Sequence, residues 1–187
     1  MHTIVQAAIL GLSAGAVYAL MASGLTLVFG VMRVVNVAQG ALVILAAYLS
    51  YALFSRLHVD PFLSILFVTP VLFALGAGLQ VVFLRRLRQD EQELSLLVMF
   101  AVALGIEGVL SVIWKTTYRS TTTSYANRSL RLFGYQVSVV RVLAFVLSVG
   151  VLAALWVLLE RTRFGRAVRA TVQNPTSARL LGVDAQR

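Results

Sequence analysis

Long apolar stretches alternate with short polar segments along this chain. Four stretches contain no Asp, Glu, Lys or Arg: residues 1–32, 34–55, 61–84 and 142–159. A fifth stretch, residues 94–114, contains one such residue, Glu107. A transmembrane helix needs roughly 20 mostly apolar residues to cross about 30 Å of hydrocarbon. The pattern therefore predicts five membrane-spanning helices, at about residues 4–31, 35–55, 62–84, 94–114 and 137–159.

The polar segments predict the orientation of this all-α, polytopic helical bundle. Ten Lys and Arg residues fall on the side of the bilayer that includes residues 160–187, and five fall on the other side. Because Lys and Arg are enriched in cytoplasmic loops, we expect the N-terminus outside and residues 160–187 in the cytoplasm. The longest polar stretch between spans, residues 115–136, is compatible with a short extramembrane hairpin because it is rich in β-branched residues, notably over 120–124.

The composition narrows the class of protein further. The chain is 59% apolar and 12% charged, whereas soluble domains average about 45–50% and about 25%, so a soluble globular domain is excluded. The net charge of +9 lies in short clusters between apolar runs, which indicates contact with anionic membrane lipids and no nucleic acid. With no cysteine and only two histidines, the sequence predicts neither a metal site nor a cofactor.

The first apolar run is predicted to stay in the mature protein as a span. It has no basic segment before it and is much longer than the roughly 7–15 apolar residues of a signal peptide. Gly11, Gly15, Ala19 and Ser23 follow one another at steps of four and share one face of this helix. Small residues at that spacing allow close approach between membrane helices. We therefore expect a helix-packing face here, within a single membrane domain that has no linker.

Few residues are candidates for chemistry. The chain has no GxxxxGK[ST], HExxH or GxSxG motif, so it is not expected to hydrolyse ATP itself. Glu107 is the one acid within a span, which makes it a functional candidate; a structural carboxyl group that faces the bundle interior is the alternative. Asn36 and Gln39 are three residues apart, on one face near the start of the second span. They either line a pathway or bond to a neighbouring helix.

The basic segment after the fifth span ends in a second short helix. Pro175 is well suited to begin a helix over residues 175–181, which Gly182 would end. A short amphipathic helix beside a membrane is either an interfacial anchor or a docking element for a partner. Both interpretations stay open on the residues alone.

Two motifs resemble those of one transporter family. The first is LTLVFGVMRVVNVAQG over residues 25–40, preceded by GAVYAL over 15–20. The second is FGRAVRA over 164–170, followed by Asn174 and by ARLLGV over 178–183. Together they closely resemble the first loop and a cytoplasmic loop of branched-chain amino-acid ABC transporter permeases, and the resemblance is LivH-like and covers essentially the whole chain.

The resemblance implies a transport subunit that is not an enzyme, in a bacterial inner (plasma) membrane. Its implied partners are cytoplasmic ATP-binding subunits, a second permease subunit and a periplasmic substrate-binding protein. Its implied substrates are branched-chain or other hydrophobic amino acids, with Asn36, Gln39 and Glu107 as candidates for the substrate path. The residues implied in coupling to the ATPase are Arg166, Arg169, Asn174, Ala178, Arg179 and Gly182. Of these, Arg166 and Arg169 are expected to fix the loop either to lipid headgroups or to acidic residues of the partner.

Some features depart from the family pattern. Thr176-Ser177-Ala178 replaces the Glu-Ala-Ala motif, and Gln39 stands where the family usually has His, which argues against a proton role there. The family continues with further spans beyond this loop, so we expect the sequence to be the N-terminal part of a permease. The alternatives from other classes are a small channel or facilitator that does not use ATP, and an intramembrane enzyme that uses Glu107, for which a second catalytic group is missing.

Overall fold

The computed structural model of this chain describes residues 2–32, 36–83, 92–115, 129–132 and 135–173. In these ranges it contains six helices and one β-hairpin. The helices are α1 (His2–Met32), α2 (Gln39–Leu57), α3 (Pro61–Val82), α4 (Gln92–Trp114), α5 (Val139–Arg161) and α6 (Arg163–Gln173), and the strands are β1 (Ser129–Leu132) and β2 (Tyr135–Ser138).

The first five helices confirm the predicted membrane architecture. Each is long and apolar enough to cross a bilayer, and large apolar side chains point outward from them. Phe73 is 78% exposed and Val112 is 81% exposed. Exposure of such large apolar side chains is unfavourable in water and favourable in the hydrocarbon of a bilayer. The chain is therefore a multi-pass membrane protein whose described spans are all α-helical. The orientation of its termini stays a prediction.

The described elements form two compact units. In the unit made of residues 1–32 and 124–187, α1 packs against α5, while α6 contacts both α5 and α1. The hairpin adjoins the start of α5, and Val137 in β2 is only 2% exposed. In the unit made of residues 33–123, α2 packs against both α3 and α4.

Small residues let α2 and α4 approach closely. Their buried contact consists of Ala38, Ala41, Met99 and Ala103, with Val98, Val102 and Ile106 packed around it. Short side chains bring two helix backbones together and increase the packing contacts that hold membrane helices together. Further along, the rings of Tyr48 and Trp114 contact each other at 5.0 Å between centroids.

The contact between α2 and α3 is polar. The hydroxyl groups of Ser50 and Ser64 lie 2.6 Å apart, and Ser64 also donates to the carbonyl oxygen of Pro61 at 2.7 Å. Ser64 is 1% exposed, so the serine pair satisfies a buried hydroxyl group between the helices. Pro61 opens α3 as predicted, and a carboxylate oxygen of Asp60 accepts a hydrogen bond from the backbone N–H of Phe62.

The starts of two spans differ from the sequence expectation. The second span begins at Gln39 instead of residue 35, because residues 36–38 form a turn before it. The fifth span begins at Val139 instead of residue 137, because residues 135–138 form β2 and pair with β1 from Leu132↔Tyr135 to Ser129↔Ser138. A hairpin does form in the polar stretch, but from these strands, and the run 120–124 lies outside the described residues. The predicted helix over 175–181 also lies outside them.

Candidate functional site

Asn36 precedes α2 and is not part of it, which corrects the prediction that Asn36 and Gln39 share a helix face. The Asn36 carbonyl oxygen accepts a hydrogen bond from the backbone N–H of Gln39 at 3.3 Å, and Val37 and Ala38 complete the turn. Ala38 is fully buried in the contact with α4. This burial anchors the turn and places Asn36 and Gln39, both half-buried, at the end of the α2–α4 contact.

The side chain of Asn36 contains an unsatisfied acceptor. Its Oδ1 atom is buried and has no hydrogen-bond partner in the described part of the chain. A buried amide oxygen without a partner is costly, commonly about 1–3 kcal/mol. The atom is therefore able to accept a hydrogen bond from a donor other than the described residues. Of the three path candidates, Asn36 is the one with a structural reason to bind something.

Glu107 lies on α4, four residues past the middle of this helix, or about 6 Å along its axis. Its side chain is exposed and is not among the residues of the described contact between α2 and α4, although Ala103, one helical turn earlier, belongs to it. A Cβ atom at Gly105 or Gly108 would meet no atom within 4 Å, so the helix surface beside Glu107 is also open. The structure does not bring Glu107 together with Asn36 or Gln39 by any described hydrogen bond.

The junction between α5 and α6, residues 158–169, forms a tight elbow. Gly165 is buried, and a Cβ atom at this position would lie 2.1 Å from the carbonyl oxygen of Leu159 and 2.5 Å from that of Leu158. Thr162 joins the two helices: its Oγ1 donates to the Leu158 carbonyl oxygen and accepts from the Gly165 N–H at 3.0 Å. Only glycine permits this close approach of two backbones.

An ion pair closes the same elbow. The Arg169 guanidinium group donates to the Glu160 carboxylate and, at 3.4 Å, to the Glu160 carbonyl oxygen. The two side chains are 45% and 48% exposed, so the pair contributes modestly to stability, about 0.2–1 kcal/mol. Arg166, by contrast, is exposed, and no described residue pairs with it. Of the two coupling arginines predicted in α6, one is thus occupied within the chain.

The other predicted residues divide into two groups. Asn174, Ala178, Arg179 and Gly182 lie outside the described residues. On α1, Gly11, Gly15 and Ala19 are exposed, and Cβ atoms at the two glycines would meet nothing within 4 Å. Ser23 is half-buried and donates to the Leu20 carbonyl oxygen at 2.7 Å. Among the described residues no other helix packs on the glycines, so the packing face stays a prediction.

Sequence reasoning named Arg169 but missed its partner Glu160 and the roles of Thr162 and Gly165 in the elbow. Glu160 and Arg169 are nine residues apart, a spacing that no regular helix turns into a contact. Gly165 was part of a recognised motif, but nothing in the sequence shows that a carbonyl oxygen approaches it. A threonine directly after a span and three residues before a glycine was the one available signal, because threonine is a preferred helix N-cap.

Five apolar spans, an exposed acid within one of them and a basic amphipathic helix at the end of the last define a multi-pass integral membrane protein. The family described as branched-chain amino acid transport system / permease component matches residues 7–187. The chain belongs to this family of permease components. No solved structure matches it.

Named relatives agree with this assignment. The probable branched-chain amino acid transport permease protein LivH of Methanocaldococcus jannaschii is 32% identical over 178 residues, which is 90% of this chain and 55% of the relative. The high-affinity permease protein BraD of Pseudomonas aeruginosa is 23% identical over 186 residues, and LivH of Escherichia coli is 21% identical over 189 residues. These alignments cover 93% and 95% of this chain and 61% of each relative. The chain thus spans a little over half the length of these relatives.

Proposed function

We propose that this chain forms part of the translocation path of an ABC importer for branched-chain or other hydrophobic amino acids in an inner (plasma) membrane. The observation that carries the proposal is the family match over residues 7–187, which includes all five spans and the elbow. ATP would be hydrolysed by cytoplasmic ATP-binding subunits. A second permease subunit would complete the path, and a periplasmic binding protein would deliver the substrate.

In this proposal Asn36, Gln39 and Glu107 contribute polar groups to the path. An Asp at the centre of a membrane helix costs about 2.5–3.5 kcal/mol on insertion scales, so an exposed Glu107 is expected to face water or protein instead of lipid. The unsatisfied Oδ1 atom of Asn36 is able to accept a hydrogen bond from an amino-acid ammonium group. No covalent step is involved, because the subunit works by binding and conformational change.

Coupling to the ATPase is proposed for residues 160–187. The segment 175–182 would dock into a groove of an ATP-binding subunit, with Asn174, Ala178, Arg179 and Gly182 at the contact. The elbow supports this role, because it fixes the start of the segment to the end of α5: Gly165 rests on two α5 carbonyl groups and Arg169 pairs with Glu160. Closure of the ATPase would thereby move the spans. Arg166 and Arg169 keep the segment in position.

The test is co-purification of the ATP-binding subunit with the complete importer. Arg179→Glu is expected to lower the amount retained at least tenfold, because charge reversal at a docking contact introduces repulsion. Arg56→Glu is the matched control. Arg56 is exposed in the last turn of α2, which the predicted orientation puts on the side of the membrane opposite to residues 160–187. Equal retention of the ATP-binding subunit by both variants would contradict the docking role.

A further inference from the structure

Helix α6 is strongly amphipathic and carries no acidic residue. Arg163, Arg166 and Arg169 recur every three residues and form its arginine face. The opposite, apolar face is formed by Phe164, Ala167, Val168 and Val172. At 100° per residue the centres of the two faces lie about 180° apart. A basic helix of this kind typically lies in the plane of a membrane interface.

Both faces of α6 are only partly used inside the chain. Ala167 and Val168 are half-buried, but Phe164 is 65% exposed and Val172 is 42% exposed. On the arginine face, Arg169 pairs with Glu160, whereas Arg163 and Arg166 are exposed and have no described ion-pair partner. Two guanidinium groups and both ends of the apolar face therefore remain available.

The elbow determines where these groups lie relative to the membrane. Helix α5 is a span that ends at Arg161, and only Thr162 separates it from α6. The two hydrogen bonds of Thr162 Oγ1 and the pair of Arg169 with Glu160 hold the first turn of α6 against the last turn of α5, at the end of the span. Because the end of a span marks the bilayer surface, Arg163, Phe164 and Arg166 lie at the level of the headgroups.

We infer that α6 is an interfacial lipid-binding helix whose Arg163 and Arg166 bind the phosphate groups of anionic phospholipids. The planar guanidinium group matches a phosphate in a bidentate geometry. Phe164 and Val172 enter the boundary between headgroups and acyl chains. Charge complementarity and the exposed apolar ends, both at the end of a span, favour a lipid surface over an acidic protein. The inference rests on the membrane architecture and not on the proposed transport function.

The experiment uses a single tryptophan beside the two arginines. Phe164→Trp is introduced into the full chain together with W114F and W156F, and the protein is reconstituted into vesicles that contain brominated phosphatidylcholine or brominated phosphatidylglycerol. Quenching by each lipid gives the preference for the anionic one. R163Q/R166Q is expected to lower this preference by up to about thirtyfold, because each basic residue near a surface contributes about fivefold.

Two control variants separate charge from position. R56Q/R141Q removes the same net charge from exposed arginines at other helix ends and should leave the preference within about twofold. R163K/R166K keeps both charges and should retain most of the preference, which verifies that the helix still folds. Circular dichroism and gel filtration of the glutamine variant check the fold independently.

The outcomes decide the inference. Loss of the preference in R163Q/R166Q, but not in R56Q/R141Q, supports lipid binding. An absent preference in the parent, or equal loss in both glutamine variants, would overturn it. A tryptophan that neither lipid quenches, and whose emission changes only after an ATP-binding subunit is added, would also overturn the inference. It would show that α6 contacts an acidic protein instead of lipid. Because no ATPase is needed for the assay, a failure here leaves the proposed transport function standing, and the reverse also holds.

Discussion

Gly165→Ala is expected to disrupt the elbow between α5 and α6. The new Cβ atom would lie 2.1 Å from the Leu159 carbonyl oxygen and 2.5 Å from the Leu158 carbonyl oxygen. Both are backbone atoms of a packed helix, so neither can withdraw as a flexible side chain would. The first turn of α6 must therefore shift by about 1 Å to restore an ordinary contact distance.

The shift has a cost that follows from the contacts it disturbs. Overpacking of this kind typically costs about 1–3 kcal/mol. The hydrogen bond from the Gly165 N–H to Thr162 Oγ1 contributes about 0.5–1.5 kcal/mol, and the exposed pair of Glu160 and Arg169 adds at most about 1 kcal/mol. These contributions range from about 1.5 to about 5.5 kcal/mol in total, and we expect the free energy of local unfolding of α6 to fall by about 2 kcal/mol.

Hydrogen exchange of α6 measures this change directly, because the rate of exchange reports the free energy of local opening. A loss of about 2 kcal/mol corresponds to roughly thirtyfold faster exchange of the amides in residues 163–173. Gly150→Ala is the matched control: Gly150 lies in α5, and a Cβ atom there would meet nothing within 4 Å. If α6 exchanges no faster in Gly165→Ala than in Gly150→Ala, the steric argument for the elbow is refuted.

Three further changes test other parts of the chain. Ser64→Ala removes the hydrogen bond to Ser50. It should lower the free energy of unfolding in mixed micelles by about 0.6 kcal/mol, and by at most about 1.7 kcal/mol. Ser55→Ala is the control and should have no effect, because Ser55 is exposed and bonded only within its own helix. Asp60→Ala should cost about 0.5–2 kcal/mol by thermal unfolding because the α3 N-cap is lost, and an equal loss in Asp60→Asn would contradict this. Glu107→Gln should reduce amino-acid uptake by the complete importer at least tenfold, and unchanged uptake would remove its functional role.

The five spans could be predicted from sequence because membrane insertion depends on local composition. A run of about 20 apolar residues crosses the bilayer whatever its neighbours are. The start of α3 could also be predicted from a local signal, because Pro61 cannot donate a backbone hydrogen bond and suits the first turn of a helix. The start of α5 could not be predicted in this way, because Val137 and Ser138 pair with β1 as part of β2 and so lie outside the helix. Strand pairing depends on a partner segment, which the pattern of one helix does not contain.

The candidate site was predicted in part, and the differences have the same cause. Asn36 and Gln39 stand in a recognisable motif, but only the structure shows that Asn36 lies before α2 and that its Oδ1 atom is buried without a partner. Arg166 and Arg169 are equivalent in the sequence. The structure distinguishes them, because the turn at Thr162 brings Glu160 to Arg169 and leaves Arg166 exposed.

The sequence by itself determined the five membrane-spanning helices of the described part of this chain and the basic helix that follows the fifth of them, since both depend on the hydrophobicity and charge of contiguous residues. Tertiary structure alone decided which backbone atoms meet. Gly165 lies against the carbonyl groups of Leu158 and Leu159, and Ala38 is buried against α4. These contacts depend on how one helix turns onto another. That geometry is set by close packing and hydrogen bonds between residues whose spacing in the sequence matches no helix or strand period.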